Sequence, residues 1–365
     1  MQLRFMLCGS MDSPEHPLLD EEKIPKIQAL ENSGRYIFEA KLDGTCGGLG
    51  KLVDGTVTIP NRRGVDYAKE GNLSELVAAA KCFPKDTMSV GEIVVMCNPE
   101  ACNYKETCEH KIGHPCRTLT QRRCGTKNAD KARELMRTLP VEFVTWDIPR
   151  LNGEDLKNMP LIERKKILRD FIQMAREDAK IPNLREIEYQ EKNAVELFMS
   201  EPEGIVAKLK DSIYVEMEEG TSSSNRLQLW MKIKHTFIVI RDIIGYSLEA
   251  EGRLSGKLRN LVMLDNGRFC GTVGGGFSDQ EREQVKAFLD NFPSAPAPYS
   301  LTGKLKHRLI YKPGNTLKVK VAYQEVTPAN ILYAPRMIDL LYPEKVQLQP
   351  QPISGACFFW EPPKQ

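Results

Sequence analysis

The sequence has no apolar run approaching the roughly 18 residues that a membrane-crossing helix needs, no excess of either charge, and no internal repeat of useful period. Its 51 basic and 49 acidic side chains leave a formal charge of +2. That total says nothing about nucleic acid, because local patches make an electrostatic footprint. The opening stretch MQLRFMLCGSMDSPEH is broken by polar residues too early for the core of a signal peptide. An intracellular protein is therefore expected, in the cytoplasm, the nucleoid or a nucleus, with no membrane partner. Without an export signal, ten cysteines read as reduced thiols, some metal-bound, rather than as a disulfide framework. What is present is an ordinary globular composition, 41% hydrophobic and 27% charged over 365 residues. At roughly 100–200 residues per domain this length supports two or three cored domains.

Residues 36–60 read as β-rich, with Val53-Asp54-Gly55-Thr56-Val57 as a hairpin turn between apolar runs. Helical spacing appears in Ser74–Lys81, in Asp130–Thr138 and most clearly in Leu161–Ala175, and short strands such as Glu142–Asp147 and Gly204–Lys208 alternate with these helices. The order is α+β rather than a regular βαβ repeat. After Lys234 the texture changes to FIVIRDIIGYSL, LRNLVMLDNGRFCGTVGGGF and TLKVKVAYQEVT, strand-like blocks broken by glycine turns and by one helical stretch, Asp279–Asn291. A small β-barrel is expected there. The domain reading is 1–234, then 235–346, then a proline-rich tail at 347–365.

The richest chemical signal is Glu39-Ala40-Lys41-Leu42-Asp43-Gly44. A lysine held at a strand end beside a carboxylate and a glycine turn can act as a nitrogen nucleophile. Alone the pattern is weak, since Lys-x-Asp-Gly also occurs on solvated turns. It is followed in order by Asn61-Arg62-Arg63-Gly64, Val90-Gly91-Glu92-Ile93, Phe143-Val144-Thr145-Trp146-Asp147, Glu203-Gly204-Ile205-Val206-Ala207-Lys208 and Trp230-Met231-Lys232-Ile233-Lys234. This series resembles the covalent nucleotidyltransferase superfamily of ATP-dependent DNA ligases, RNA ligases and capping enzymes. Within it the likeness is to DNA ligases, particularly the ligase module of bacterial end-joining enzymes. The phrases GRFCGTVGGGFSD, LKVKVAYQEVT and LYAPRMI look like the oligonucleotide-binding-fold half of that module.

The resemblance implies an adenylation (nucleotidyltransferase) domain of antiparallel sheets with helices, followed by an OB-fold barrel. It implies an ATP-dependent ligase that seals 5′-phosphate/3′-hydroxyl breaks in nicked or broken duplex DNA through lysyl-AMP and DNA-adenylate. By this likeness Lys41 is the nucleophile, Glu92 and Glu203 hold Mg²⁺ or Mn²⁺ or contact the sugar, and Lys232 and Lys234 bind the α-phosphate. Phe143 stacks on adenine, while Glu39 and Asp43 complete the nucleotide-binding set, Asp43 by orienting the lysine or capping its turn. Arg62 grips the 5′-phosphate with its guanidinium fork. A free lysine has a pKa near 10.4, so attack at neutral pH requires burial or neighbouring positive charge. The stretch Leu301–Lys320 carries Lys304, Lys306, Arg308, Lys312, Lys318 and Lys320 with no acidic residue, which suits phosphate contacts on DNA, with a solvated charged face as the alternative.

Between Glu92 and Phe143 lie Cys97, Cys102, Cys108, His110, His114, Cys116 and Cys124. This insertion at 97–124 lacks paired C-x2-C knuckles, yet thiolates in a loop-rich segment suit structural Zn²⁺, with an iron–sulfur cluster or free thiols as alternatives. Cys102, Cys108, Cys116 and Cys124 are the expected ligands, and Arg117, Arg122 and Arg123 nearby fit a DNA-facing finger.

Ligases of this kind close with a motif resembling Arg-x-Asp-Lys. Here Pro335-Arg336 is followed by MIDLLYPEK, leaving only Lys345 displaced. Only about 35 residues precede the first motif, so the expectation is a compact, monomeric enzyme that surrounds DNA incompletely, with room for a protein partner in repair or replication. An RNA ligase or capping-type guanylyltransferase would share the Lys41 chemistry. A catalytically retired nucleic-acid-binding protein would keep only the fold and the basic face.

Overall fold

The computed structural model describes residues 4–12, 17–101, 112–178, 181, 183–216, 228–249, 255–298, 309–327 and 329–343. Cys102, Cys108, His110, Lys304, Lys306, Arg308, Lys345 and the proline-rich tail lie outside these residues. The chain divides into two compact units, Met1–His235 and Thr236–Gln365. No helix among the described residues is long and apolar enough to cross a membrane.

The first unit is built on two mainly antiparallel sheets. One runs in the order Gly9–Ser10, Trp230–Ile233, Ile205–Leu209, Tyr36–Ala40, Tyr189–Gln190, with only its first pair parallel. The other runs Val57–Thr58, Thr45–Lys51, Thr87–Val94, Glu142–Leu151, Glu154–Asp155, and Leu184–Glu186 joins Glu142–Leu151 in parallel. Residues 41–44 therefore carry the chain from one sheet to the other. The 52–56 turn between Thr45–Lys51 and Val57–Thr58 is closed by Gly55 N–H donating to Leu52 O at 2.9 Å.

The largest core lies against the second sheet, where Leu49, Ile93 and Phe143 meet Leu76 and Ala79 of helix Ser74–Lys81, Leu119 and Cys124 of Arg117–Cys124, and Leu168, Phe171 and Ile172 of Leu161–Asp178. Each such leucine, isoleucine or phenylalanine contributes about 1.5–3 kcal/mol by leaving water. Helical spacing brings these apolar side chains to one face. The same helix also buries Arg164 and Lys165, and both have carboxylate partners. Arg164 grips Asp147 through two bonds of 2.8 Å, and Lys165 Nζ lies 2.5 Å from Glu39.

The first sheet has its own core of Ile27, Phe38, Phe198, Ile205 and Ile233. Ile27 comes from a helix, Asp20–Asn32, whose sequence signal is blunted by Pro25 inside it. It starts with Asp20, Glu21 and Glu22 in the first turn, where carboxylates complement the helix dipole. Leu19 N–H donates to Glu22 Oε2 at 2.6 Å, supplying an acceptor that the exposed helix end needs.

The second unit is an antiparallel sheet in the order Arg268–Val273, Leu258–Asp265, Phe237–Leu248, Lys318–Tyr323, Arg336–Leu341, with Leu309–Tyr311 also paired to Phe237–Leu248. Register shifts at Ile243/Gly245 and Lys320/Val321 interrupt the ladder, which bends strands and raises their twist. A parallel bridge between Gly275 and Arg336 brings the two ends of the sheet together around Ile243, Leu261, Val273, Val319 and Met337. Helix Asp279–Asp290 opens on a capping box, with Ser278 and Glu281 each accepting the other's backbone N–H.

Candidate active site

Strand pairing assembles the site. Ile205 pairs with both Ala40 and Ile233, so the residues just beyond these positions, Lys41, Glu203-Gly204 and Lys234, gather at one end of three adjacent strands. Lys41 N–H donates to Gly204 O at 2.9 Å. Gly204 has φ +83, and a Cβ there would lie 2.1 Å from Ile233 O. Only glycine allows this approach. Lys41 Nζ then reaches Glu203 Oε2 at 3.3 Å.

Asp43 completes the turn and receives Arg117, whose Nε donates to Oδ1 at 2.6 Å. Arg117 Nη2 also lies 3.5 Å from Glu203 Oε2. Burial pushes the Asp43 carboxyl up, Glu203 adds to the rise, and Arg117 and Lys41 oppose it. Glu203 ends below its ordinary value: burial works to raise it, but Lys41, Arg117 and Lys234 together outweigh that.

Glu92 enters from the second sheet, paired with Cys46 two residues after Gly44. Burial raises its carboxyl to about 8, so it holds a proton at neutral pH when no added cation compensates it. Lys232 lies on the Trp230–Ile233 strand opposite Val206. Lys234 is lowered to about 8, first by burial and then by Lys41. Arg62 is exposed on a turn in which Asn61 Oδ1 accepts from the backbone of Arg63 and Val65 at 2.8 and 3.0 Å.

Several expectations are corrected. Phe143 has no exposed surface and packs among Leu49, Ile93 and Leu119, so it has no face to offer a base. Its neighbour Val144 points the other way, into a cluster with Val94, Leu42 and Trp146. Trp146 is the half-buried aromatic beside the lysine turn, and Lys208 Nζ lies 5.5 Å from its ring. Period-two alternation and the bulge in Glu142–Leu151 decide which aromatic faces the site. Glu39 is only 2% exposed, and its oxygens are taken by Lys165 and Lys208 at 2.5 and 2.6 Å. A nucleotide contact by Glu39 would require one of these ion pairs to open.

The metal set also changes. Cys116 and Cys124 stand at opposite ends of helix Arg117–Cys124, about 12 Å apart at 1.5 Å per residue. Two thiolates on one zinc ion are at most about 4.6 Å apart, so these two cannot share an ion. Cys124 is buried in the core and its thiol is pushed up to about 11 by burial. Arg123 is fully buried and bound to both Glu75 oxygens at 2.7 and 2.9 Å, so it is no part of a DNA-facing finger. Lys312 is buried against Asp290 at 3.2 Å and is lost from the basic stretch. Lys318 and Lys320 are both half-buried on one strand, and Lys318 is paired with Asp242 at 2.8 Å.

Arg117 is the site residue that sequence reading placed elsewhere. No local pattern marks it, because its partners arrive through tertiary packing of the helix that closes the cysteine-rich insertion.

A family model for the ATP dependent DNA ligase domain matches residues 18–234. A DNA ligase of Caldivirga maquilingensis is 24% identical over 331 residues, covering 86% of this chain and 51% of that protein. One of Thermococcus fumicolans is 26% identical over 290 residues, covering 76% and 47%. The chain thus spans about half the length of these relatives. A solved structure from work on DNA binding with a minimal scaffold by Lig E DNA ligases aligns with TM-score 0.55 at 13% identity, covering 93% of this chain and 100% of that one, a likeness of fold alone. With the matched segment spanning every element that builds the lysine site, the chain belongs to the ATP-dependent DNA ligase domain family.

Proposed function

We propose that this chain seals breaks in duplex DNA with ATP, using Lys41 as the nucleophile. The observation that carries the reading is the convergence of Lys41, Asp43, Glu203 and Lys234 at the junction of two sheets, with Lys41 Nζ 3.3 Å from Glu203. In the first step the free amine of Lys41 attacks the α-phosphorus of ATP. A P–N bond forms, the bond to pyrophosphate breaks, and the amine gives up a proton. Next a 5′-phosphate oxygen of DNA attacks the same phosphorus and releases Lys41. The 3′-hydroxyl then attacks the 5′-phosphate, loses its proton and expels AMP. Each step is a phosphoryl-group substitution in which positioning and charge do most of the catalysis.

Lys232 and Lys234 supply positive charge for the α-phosphate; at neutral pH Lys234, titrating near 8, remains mostly protonated. Trp146 takes the place expected of Phe143 as the flat apolar wall for adenine. Arg62, on its exposed turn, engages the 5′-phosphate. Asp43 and Glu203 offer carboxylate oxygens within 4.8 Å of one another, and hard oxygen donors of this kind suit Mg²⁺ or Mn²⁺. With Glu92 nearby, they are the residues that would hold the ion, which supplies neutralising charge at the phosphate when bound. The curled sheet of the second unit supports an oligonucleotide-binding barrel, with Lys318 and Lys320 as its DNA-facing cations.

The test is to incubate the protein and a Lys41→Ala variant with Mg²⁺ and α-labelled ATP, GTP or NAD, and to follow label retained after denaturation. Label from ATP alone, absent from the variant, is the expected result. Label from GTP would support capping chemistry, and no label from any donor would sink the self-adenylylating ligase. Sealing of DNA nicks in preference to nicks with RNA strands is expected next.

A further inference from the structure

Arg117 reaches the lysine site from an element outside the motif series. It is the first residue of helix Arg117–Cys124. That helix is fixed by Leu119 and Cys124 in the core and by Thr120 Oγ1, which accepts from Val95 N–H at 2.9 Å. The guanidinium donates to Asp43 Oδ1 from Nε at 2.6 Å and lies 2.5 Å from it through Nη2. The same Nη2 is 3.5 Å from Glu203 Oε2, the oxygen that Lys41 Nζ approaches at 3.3 Å. Two cations, one of them the nucleophile, meet on one carboxylate oxygen.

This position restricts what Arg117 can do. In-line attack on the α-phosphorus puts pyrophosphate opposite the incoming amine. A guanidinium that shares an oxygen with that amine lies beside the nucleophile rather than opposite it. What it does is neutralise Asp43 and Glu203, whose oxygens lie close enough together to hold one cation.

We propose that Arg117 is a positioning residue that stands in for the divalent cation at Asp43 and Glu203 before nucleotide arrives, so that the cation must displace its guanidinium from Glu203. The inference rests on the reading of Asp43 and Glu203 as the cation-holding pair. It ties the metal requirement of the site to a helix that closes the cysteine-rich insertion. Without Arg117 the two carboxylates would repel each other in the empty site and attract a divalent ion more strongly.

The test is Mn²⁺ binding to the nucleotide-free full chain, read from the electron paramagnetic resonance signal of free Mn²⁺. Arg117→Gln should bind Mn²⁺ about fivefold more tightly than the parent, the order expected when a partly exposed ion pair no longer competes. Arg117→Lys keeps the charge and should stay within about twofold of the parent. A merely structural role would move both variants alike. Unchanged or weaker binding by Arg117→Gln overturns the inference, as does equal tightening by both variants. Glu203→Gln should lose most of the binding; if it binds as the parent does while Lys41 still takes AMP, the cation-holding reading of Glu203 falls and the inference with it. If Arg117→Gln melts early, Arg117→Met at the same site repeats the charge removal, with the same expected tightening and the same overturning result.

Discussion

Replacing Gly204 with alanine tests how the site is assembled. Gly204 lies at φ +83, where an L side chain costs about 1–2 kcal/mol. Its Cβ would also lie 2.1 Å from Ile233 O and 3.0 Å from Lys234 Cα. Both are backbone atoms, Ile233 in a paired strand and Lys234 directly after it, so relief requires the strands to part, at about 1–3 kcal/mol for overpacking. The sum is about 3 kcal/mol, a large share of a typical folding free energy of roughly 5–15 kcal/mol. Parting the strands also strains the Lys41 N–H bond to Gly204 O and moves Glu203 relative to Lys41. A displacement near 1 Å costs on the order of 100-fold in rate. Urea unfolding and the rate of labelled AMP transfer onto Lys41 read the two effects separately. Gly71→Ala is the control, because Gly71 has φ +72 but nothing within 4 Å of its Cβ position. It should lose only about 1–2 kcal/mol and keep its rate. If Gly204→Ala proves as mild as Gly71→Ala in both assays, close strand approach does not build this site.

Glu92, lifted to about 8 from 4.5 by burial, binds a proton in the folded chain over a range where the unfolded chain has released it. Its contribution is fully present below the unfolded pKa and is lost as pH rises through about 8. In metal-free buffer, Glu92→Gln should flatten the fall of melting temperature across that window, and an unchanged profile would contradict it. Phe143→Ala should cost about 3–5 kcal/mol in urea unfolding as a core truncation, whereas Trp146→Ala should mainly raise the ATP concentration needed for half-maximal labelling; the reverse pattern would restore Phe143 as the adenine platform. Glu39→Gln leaves Lys165 and Lys208 buried without their carboxylate and should cost about 3–5 kcal/mol, seen as an early thermal transition. Cys124→Ala should leave bound zinc, measured by elemental analysis, unchanged, and loss of an equivalent of zinc would return Cys124 to a ligand set.

The sequence by itself determined the local layer of this protein. Lys41 before a glycine turn, the hairpin turn read at 53–57, the amphipathic helix read at 161–175 and the order of the motifs are all properties of near neighbours along the chain. Short-range periodicity and turn chemistry suffice for them. Tertiary structure alone decided which face each residue presents and what it meets there. Phe143 and Trp146 are both aromatics on one strand; alternation and the bulge put them on opposite faces, and the helices packed against one face make Phe143 the core residue. Arg164 and Lys165 look like surface charges on an amphipathic helix, yet Asp147 and Glu39 draw them inward. Cys116 and Cys124 read as ligands in a loop-rich segment until a helix forms between them and holds the thiols apart. Arg117 becomes part of the site only because its helix packs against the core beside the lysine turn. Partners far apart in sequence leave no local trace, since burial and ion pairing are set by packing between elements rather than within them.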